Sequence, residues 1–392
     1  MKKIVIVGGG TAGISVASAL LRKRSDLEIK IIEPSETHYY QPLWTLVGGG
    51  VFPLEKSARP MRHVIPDGTE WVKGKVESFL PESNEVVLEN GNKLSYDYLV
   101  VAPGIQLDWS RIEGLKETLG KNGVCSNYSK DFVEYTWECM NNLKDGNAIF
   151  TFPSTPIKCA GAPQKVMYLA EETFRNNHVR DDVEVKFVSA GGAIFGVQKY
   201  RDALEKVVED KNILTQFQHD LFKVDGEKQI AYFKHMETGE VFEQKFSMLH
   251  VSPHMSAPEF IKKSPLANEA GWVDVDKFST QHNKYSNIFS IGDASSLPNS
   301  KTGAAIRKQG PVLVKNLLAE MNKKELKGKY SGYASCPLVT SRSTCILAEF
   351  DYSGQPAETF PFNQAEERKS MYILKAFLIP FMYWNAMLKG FF

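Results

Sequence analysis

The stretch Ile4-Val5-Ile6-Val7-Gly8-Gly9-Gly10-Thr11-Ala12-Gly13 decides the fold. Four aliphatic residues read as a buried strand, and Gly8, Gly10 and Gly13 meet the G-x-G-x-x-G spacing before a helical segment from Ile14 to Arg22. A strand, a glycine turn and a helix in immediate succession let bare N–H groups at the helix start, around Thr11 and Ala12, approach a pyrophosphate with no side chain between. A second strand, Glu28 to Ile32, ends at Glu33, where an acid accepts a hydrogen bond from an adenosine ribose 2′-OH. The pattern calls for an α/β fold and a dinucleotide, either FAD or NAD.

Length and charge bound the rest. With 392 residues the chain has room for two or three domains, and 47 basic against 46 acidic residues give no pull towards nucleic acid. The five cysteines (Cys125, Cys139, Cys159, Cys336 and Cys345) are odd in number and lack CxxC spacing, so neither a secreted disulfide scaffold nor a zinc site is expected. A nucleotide strand beginning at Lys3 leaves no room for a signal peptide, and no run of about 18 apolar residues is read as spanning a bilayer.

After Glu33 comes a long aromatic loop, Pro34 to Trp44, containing Gln41 and followed by Gly48-Gly49-Gly50; such a loop would run along a flavin cofactor. Trp71 to Val76 and Glu85 to Leu88 read as strands, and Tyr96 to Val101 as a buried strand ending in Ala102-Pro103-Gly104. Val76 and Gly104 are placed at the cofactor. A further apolar strand, Asn287 to Ile291, closes on Gly292-Asp293, where Asp293 is read as accepting from a ribityl hydroxyl rather than as a helix cap. Lys301-Thr302-Gly303-Ala304 opens the next helix, whose N–H groups and Lys301 are placed at the pyrimidine edge of a flavin.

These segments resemble the FAD domain of the two-dinucleotide-binding flavoprotein reductases. The resemblance implies two Rossmann-like domains: an FAD domain over 1–105 and 285–330, a second over 106–284, and a C-terminal segment over 331–392. Strands are expected in the second domain at Ala148 to Phe152, Val183 to Val188 and Met248 to Val251. Its glycine turn is read at Ala190 to Gly196, with Ala193 in place of the middle glycine, bulky Ile194 and Phe195 after it, and no acid at Gln216. An added Cβ there obstructs the approach of a pyrophosphate, which argues against NAD(P)H as electron donor.

Two cysteines then stand out in proline-bearing loops. Cys159 lies in Pro156-Ile157-Lys158-Cys159-Ala160-Gly161-Ala162-Pro163, before a helix from Gln164 to Arg175, where Lys158, Lys165 and the helix start would favour a thiolate. Cys336 lies in Ser335-Cys336-Pro337-Leu338-Val339-Thr340, held extended by its proline. A bridge between them closes a loop of roughly 180 residues, worth about 4 to 5 kcal/mol, yet a reducing cytosol would open it unless turnover re-formed it. Catalytic use is the reading adopted. Cys125 is read as accessory, Cys139 and Cys345 as structural, and His254 as a loop residue.

Pro156 to Gln164, Tyr333 to Thr340, Tyr39 to Val47 and Ile291 to Lys301 resemble the sulfide:quinone oxidoreductases, in the branch that includes the mitochondrial enzymes. The resemblance implies FAD, a redox-active Cys159–Cys336 pair, hydrogen sulfide as donor and a membrane quinone (ubiquinone or menaquinone) as electron acceptor. It also implies a sulfur acceptor such as coenzyme A, glutathione or sulfite, and leaves a homodimer open. The apolar tail from Ser370 to Phe392 is read as two short helical pieces broken at Pro380, neither able to span. Tyr372, Phe377, Phe381, Tyr383 and Trp384 are placed at a membrane surface and quinone entrance. The expected location is peripheral, on the cytoplasmic face of a bacterial cell membrane. A type II NADH:quinone reductase is the competing reading, and flavocytochrome sulfide dehydrogenase a more distant one.

Overall fold

Runs of β-branched residues buried on both faces form parallel strands, because crossover helices cover both sides of such a sheet. The computed structural model of the chain describes residues 1–392. Its first sheet has five parallel strands in the order Ile288–Ser290, Tyr98–Val101, Lys2–Val7, Leu27–Ile32 and Thr69–Val72. The strand expected from Trp71 to Val76 divides: Thr69–Val72 joins this sheet, and Val76 starts an antiparallel strand, Val76–Leu80. The glycine turn leads directly into the helix Thr11–Leu21, most of which is buried.

The second sheet repeats the plan, with Val124–Cys125, Met248–His250, Gly146–Phe152, Val183–Ser189 and Leu214–Gln216 all parallel. In each sheet the third strand feeds a helix that crosses to the fourth. The counterpart of the glycine turn is therefore the loop between Phe152 and the helix Ala162–Asn176, and not the later turn at Ala190 to Gly196. The sequence reading misplaced that turn by one crossover, because it searched for glycines where the chain has put prolines and Cys159. A three-stranded antiparallel sheet, His219–Asp225, Ile230–His235 and Val241–Lys245, adds to the second unit.

Cys336 does not lie in a loop. It sits in the strand Ala334–Val339, paired antiparallel with Cys345–Phe350. Alternation divides this hairpin between two cores: Cys336, Leu338, Ile346 and Ala348 pack with the second unit, while Val339, Cys345 and Leu347 pack with the first.

The C-terminal segment also departs from expectation. Pro380 does not break it: Lys369–Lys389 runs helically for 21 residues, through a π-helical turn at Leu374–Leu378 just before the proline. The wider turn absorbs the missing N–H that would otherwise end the helix. By length and composition the helix is long and apolar enough to cross a membrane. One face nevertheless lies in the core, through Met371, Tyr372, Ala376, Tyr383, Met387 and Leu388.

Candidate active site

The glycine turn is built for close approach. A Cβ on Gly13 would lie 1.9 Å from the Gly8 carbonyl oxygen, and Gly8 itself has φ +102°, so both positions require glycine. At Gly10, Gly104 and Gly303 an added Cβ would meet nothing within 4 Å, leaving open space beside the helix start. Glu33 Oε2 accepts from the Gly9 N–H at 2.8 Å and Oε1 from the Ser35 N–H at 2.8 Å, so the acid expected at a ribose also braces the turn. Val76 is buried in the same apolar cluster as Val7 and Ile32. Thr302 caps the helix Gly303–Met321, its Oγ1 accepting from Ala305 N–H at 3.1 Å, and this sets Gly303 and Ala304 at a helix N-terminus. Turn, cradle and acid fit FAD.

Cys159 occupies the pyrophosphate loop of the second unit. Its backbone is left-handed, at φ +51°, which costs a residue with a Cβ about 1–2 kcal/mol. Three hydrogen bonds hold it there: its N–H donates to the Lys301 carbonyl at 2.9 Å, and its carbonyl accepts from Ala162 N–H at 2.7 Å and from the Tyr128 hydroxyl at 3.4 Å. Cys336 comes close enough to Cys159 for each thiol to shift the other's ionisation. Gly161 permits this approach, since a Cβ there would stand 2.3 Å from Cys336 Sγ. Two chain segments distant in sequence are thus brought together at their sulfur atoms.

The electrostatics separate the two thiols. Cys336, together with Lys165 and Lys375, holds the Cys159 thiol well below the ordinary range against the opposing effect of burial, with Lys165 Nζ 3.3 Å from Cys159 Sγ. Cys336 is pushed up by its contact with Cys159 and by burial. Lys165 is buried, as is Lys375, which comes from the C-terminal helix and donates to the Pro42 carbonyl at 2.8 Å. Burial lowers Lys375 to about 8. Lys375 is a site residue that the sequence reading leaves out. The signal was available, because it stands four residues after Met371 and so shares the inward face.

Around this pair, Lys158 Nζ donates to Gln41 Oε1 at 2.6 Å, bringing the aromatic loop against the cysteine loop. Lys301 donates to the carbonyls of Asp293 at 2.7 Å and Ser295 at 3.1 Å, and its ammonium lies 4.0 Å from the Trp272 ring centre. Burial lowers Lys158 and Lys301 to about 8 each and raises Asp293, whose carboxyl feels both cations. Cys345 is buried behind the pair and pushed up to about 12 by burial. Cys125 and Cys139 lie in the second core. His254 lies in the irregular segment after Met248–His250 and is buried, with Nε2 3.7 Å from Asp220 Oδ1.

In the second unit the position equivalent to Glu33 is Ala190, which offers no ribose acceptor. Phe195 packs against Tyr200 and Phe350, and Gln164 donates to the Ile194 carbonyl. Of the five tail residues, Tyr372 and Tyr383 turn inward, contrary to their expected place on an outer face. Phe377 and Phe381 are 55% and 64% exposed. With Trp384, Phe52, Lys56 and Arg59 they line an open groove of about 620 Å³.

A glycine-turn domain, a second sheet of the same plan and two cysteines brought together beside them define a flavoprotein oxidoreductase. Residues 2–133 match the family described as pyridine nucleotide-disulphide oxidoreductase. The chain belongs to the sulfide:quinone oxidoreductase family, an FAD-binding group of enzymes. It is 46% identical to the mitochondrial sulfide:quinone oxidoreductase of Mus musculus over 99% of this chain and 87% of that one. The Dictyostelium discoideum mitochondrial enzyme is 48% identical over 99% and 86%. In fold it matches the solved sulfide:quinone oxidoreductase of Aquifex aeolicus, with a TM-score of 0.85 at 20% identity over 100% and 92% of the two chains. These full-length sequence relatives are mitochondrial proteins of eukaryotes, which overturns the expectation of a bacterial cell membrane.

Proposed function

We propose that the chain oxidises hydrogen sulfide to sulfane sulfur through a Cys159–Cys336 disulfide. Hydrosulfide attacks the Cys336 sulfur; the S–S bond breaks, its electron pair leaves on Cys159, and Cys336 carries a persulfide. Lys165, 3.3 Å from Cys159 Sγ, and the buried Lys375 stabilise the thiolate that leaves. An external nucleophile such as sulfite, glutathione or coenzyme A takes the terminal sulfur, and Cys336 is left as a thiolate. Re-forming the bridge releases two electrons from the sulfur pair. FAD, when bound, supplies the two-electron acceptor for that pair and the path from it to a membrane quinone. Gly8, Gly10, Thr11, Ala12, Gly13, Glu33, Gly104, Asp293, Gly303 and Ala304 are the residues that would hold it.

The observation that carries this reading is the convergence of Cys159 and Cys336 beside a buried ammonium group. The exposed aromatic stripe of the last helix supports attachment to a membrane surface, where a quinone resides. Against NADH as donor stand Ala190 at the ribose position and the prolines and Cys159 in the pyrophosphate loop. Anaerobic titration decides between donors: sulfide should bleach the bound flavin and NADH should not. Bleaching by NADH alone would return the type II reading.

A further inference from the structure

Tyr383 was assigned from sequence to an outer face, yet its hydroxyl ends at the dinucleotide turn. It lies 2.9 Å from Thr11 Oγ1 and 2.5 Å from His38 Nε2. On the other side of the imidazole, His38 Nδ1 is 3.0 Å from the Gly9 carbonyl oxygen. The directions of these bonds follow from chemistry. A carbonyl can only accept, so Nδ1 carries the proton and Nε2 accepts from the Tyr383 hydroxyl, which in turn accepts from Thr11. Burial, which lowers His38 to about 4, keeps the ring neutral and the chain intact at physiological pH.

Gly9 is consequently held on both sides, by Glu33 at its N–H and by His38 at its carbonyl. The second support depends on a residue 374 positions further along, on the amphipathic helix. Other contacts tie the same two elements together: Ser18 Oγ donates to the Leu388 carbonyl at 2.7 Å. Gly390, at φ +79°, lies so close to the first helix that a Cβ would sit 2.6 Å from Ala19 N. The Tyr383 ring also packs on Tyr40, with centroids 4.3 Å apart.

We infer that Tyr383 and His38 are positioning residues that couple docking of the C-terminal helix to retention of the dinucleotide by the Gly8–Gly13 turn. The inference rests on the FAD reading above and extends it to residues outside the cradle. Because the coupling is thermodynamic it is reciprocal: a docked helix tightens FAD binding, and bound FAD favours the docked helix by the same factor.

Two measurements test it, neither of them enzyme activity. The first follows release of FAD fluorescence from holoprotein on dilution into denaturant-free buffer. Tyr383→Phe removes one hydrogen-bonding hydroxyl and should release FAD about 3- to 10-fold faster. Met382→Ala, on the exposed face one residue earlier, should match the parent protein. The second follows chymotryptic cleavage at the exposed Phe377 and Phe381 in parent protein, with FAD bound and after FAD removal. Cleavage should be slower with FAD bound, and in Tyr383→Phe that protection should shrink. Equal FAD release from Tyr383→Phe and the parent overturns the inference; so does cleavage indifferent to FAD. The cleavage comparison in parent protein stands even if the variant fails to fold. Failure of the FAD reading itself is distinct, since parent protein would then carry no flavin to release.

Discussion

At the residue scale the two cysteines differ in surroundings and so in assigned work. Cys159→Ser and Cys336→Ser should each abolish sulfide-driven bleaching while FAD stays bound, since neither side chain forms the glycine cradle. Rapid bleaching in both variants would remove the disulfide mechanism. Gly161→Ala should give a similar loss by a steric route, because its Cβ would occupy the space of Cys336 Sγ. Lys375 supplies a pH signature. As pH rises through about 8 it loses its proton, and with it one of the charges that favour the Cys159 thiolate, while Lys165 keeps its own. The bleaching rate of the parent should therefore fall above about pH 8. Lys375→Met should be about tenfold slower at neutral pH, as expected for losing roughly 1.4 kcal/mol of charge stabilisation, and show no inflection there. An inflection that persists in the variant assigns the titration to another group.

At the element scale, the two sheets show one plan applied twice with different loops. In the first unit the loop after the third strand keeps its glycines, and Gly13→Ala, which would set a Cβ 1.9 Å from a carbonyl oxygen, should yield protein that purifies without flavin. Absorbance of the purified variant is the check. In the second unit the same loop carries Lys158 and Cys159, and the acid that would follow the next strand is Ala190. The first loop was legible because G-x-G-x-x-G has a fixed spacing. The second was not, since a loop recruited to hold sulfur no longer carries the glycines by which it would be recognised. The strand character of Cys336 was missed for a related reason: Pro337 marks a breaker in a sequence, but on a two-stranded edge its missing N–H is tolerated.

At the scale of the whole molecule, the C-terminal helix is both a core element and an apolar surface. Removing residues 370–392 would strip Met371, Tyr372, Ala376, Tyr383, Met387 and Leu388 from the first core, so truncation tests folding rather than attachment. The informative variant changes only the outer face. Phe377→Ser with Phe381→Ser should weaken cosedimentation with lipid vesicles by about tenfold or more, as each exposed ring is worth about 1.5 to 3 kcal/mol on burial, while leaving the circular dichroism unchanged. Undiminished binding would move the attachment surface elsewhere. Lys56 and Arg59, which line the groove beside these rings, carry no salt bridge to an acid.

Local order in the chain determined what needs only neighbours. The glycine turn, the acid at the end of the second strand, the parallel α/β class and the proline-flanked cysteine segments all follow from spacings of a few residues. Tertiary structure alone decided which distant groups meet. Lys375 reaches the cysteine pair, Tyr383 reaches Thr11 and His38, and the last helix passes through Pro380 without breaking. The last depends on the π-helical turn at Leu374–Leu378; the first two depend on packing between elements far apart in the chain, and no periodicity within one element records which partner its buried face will find.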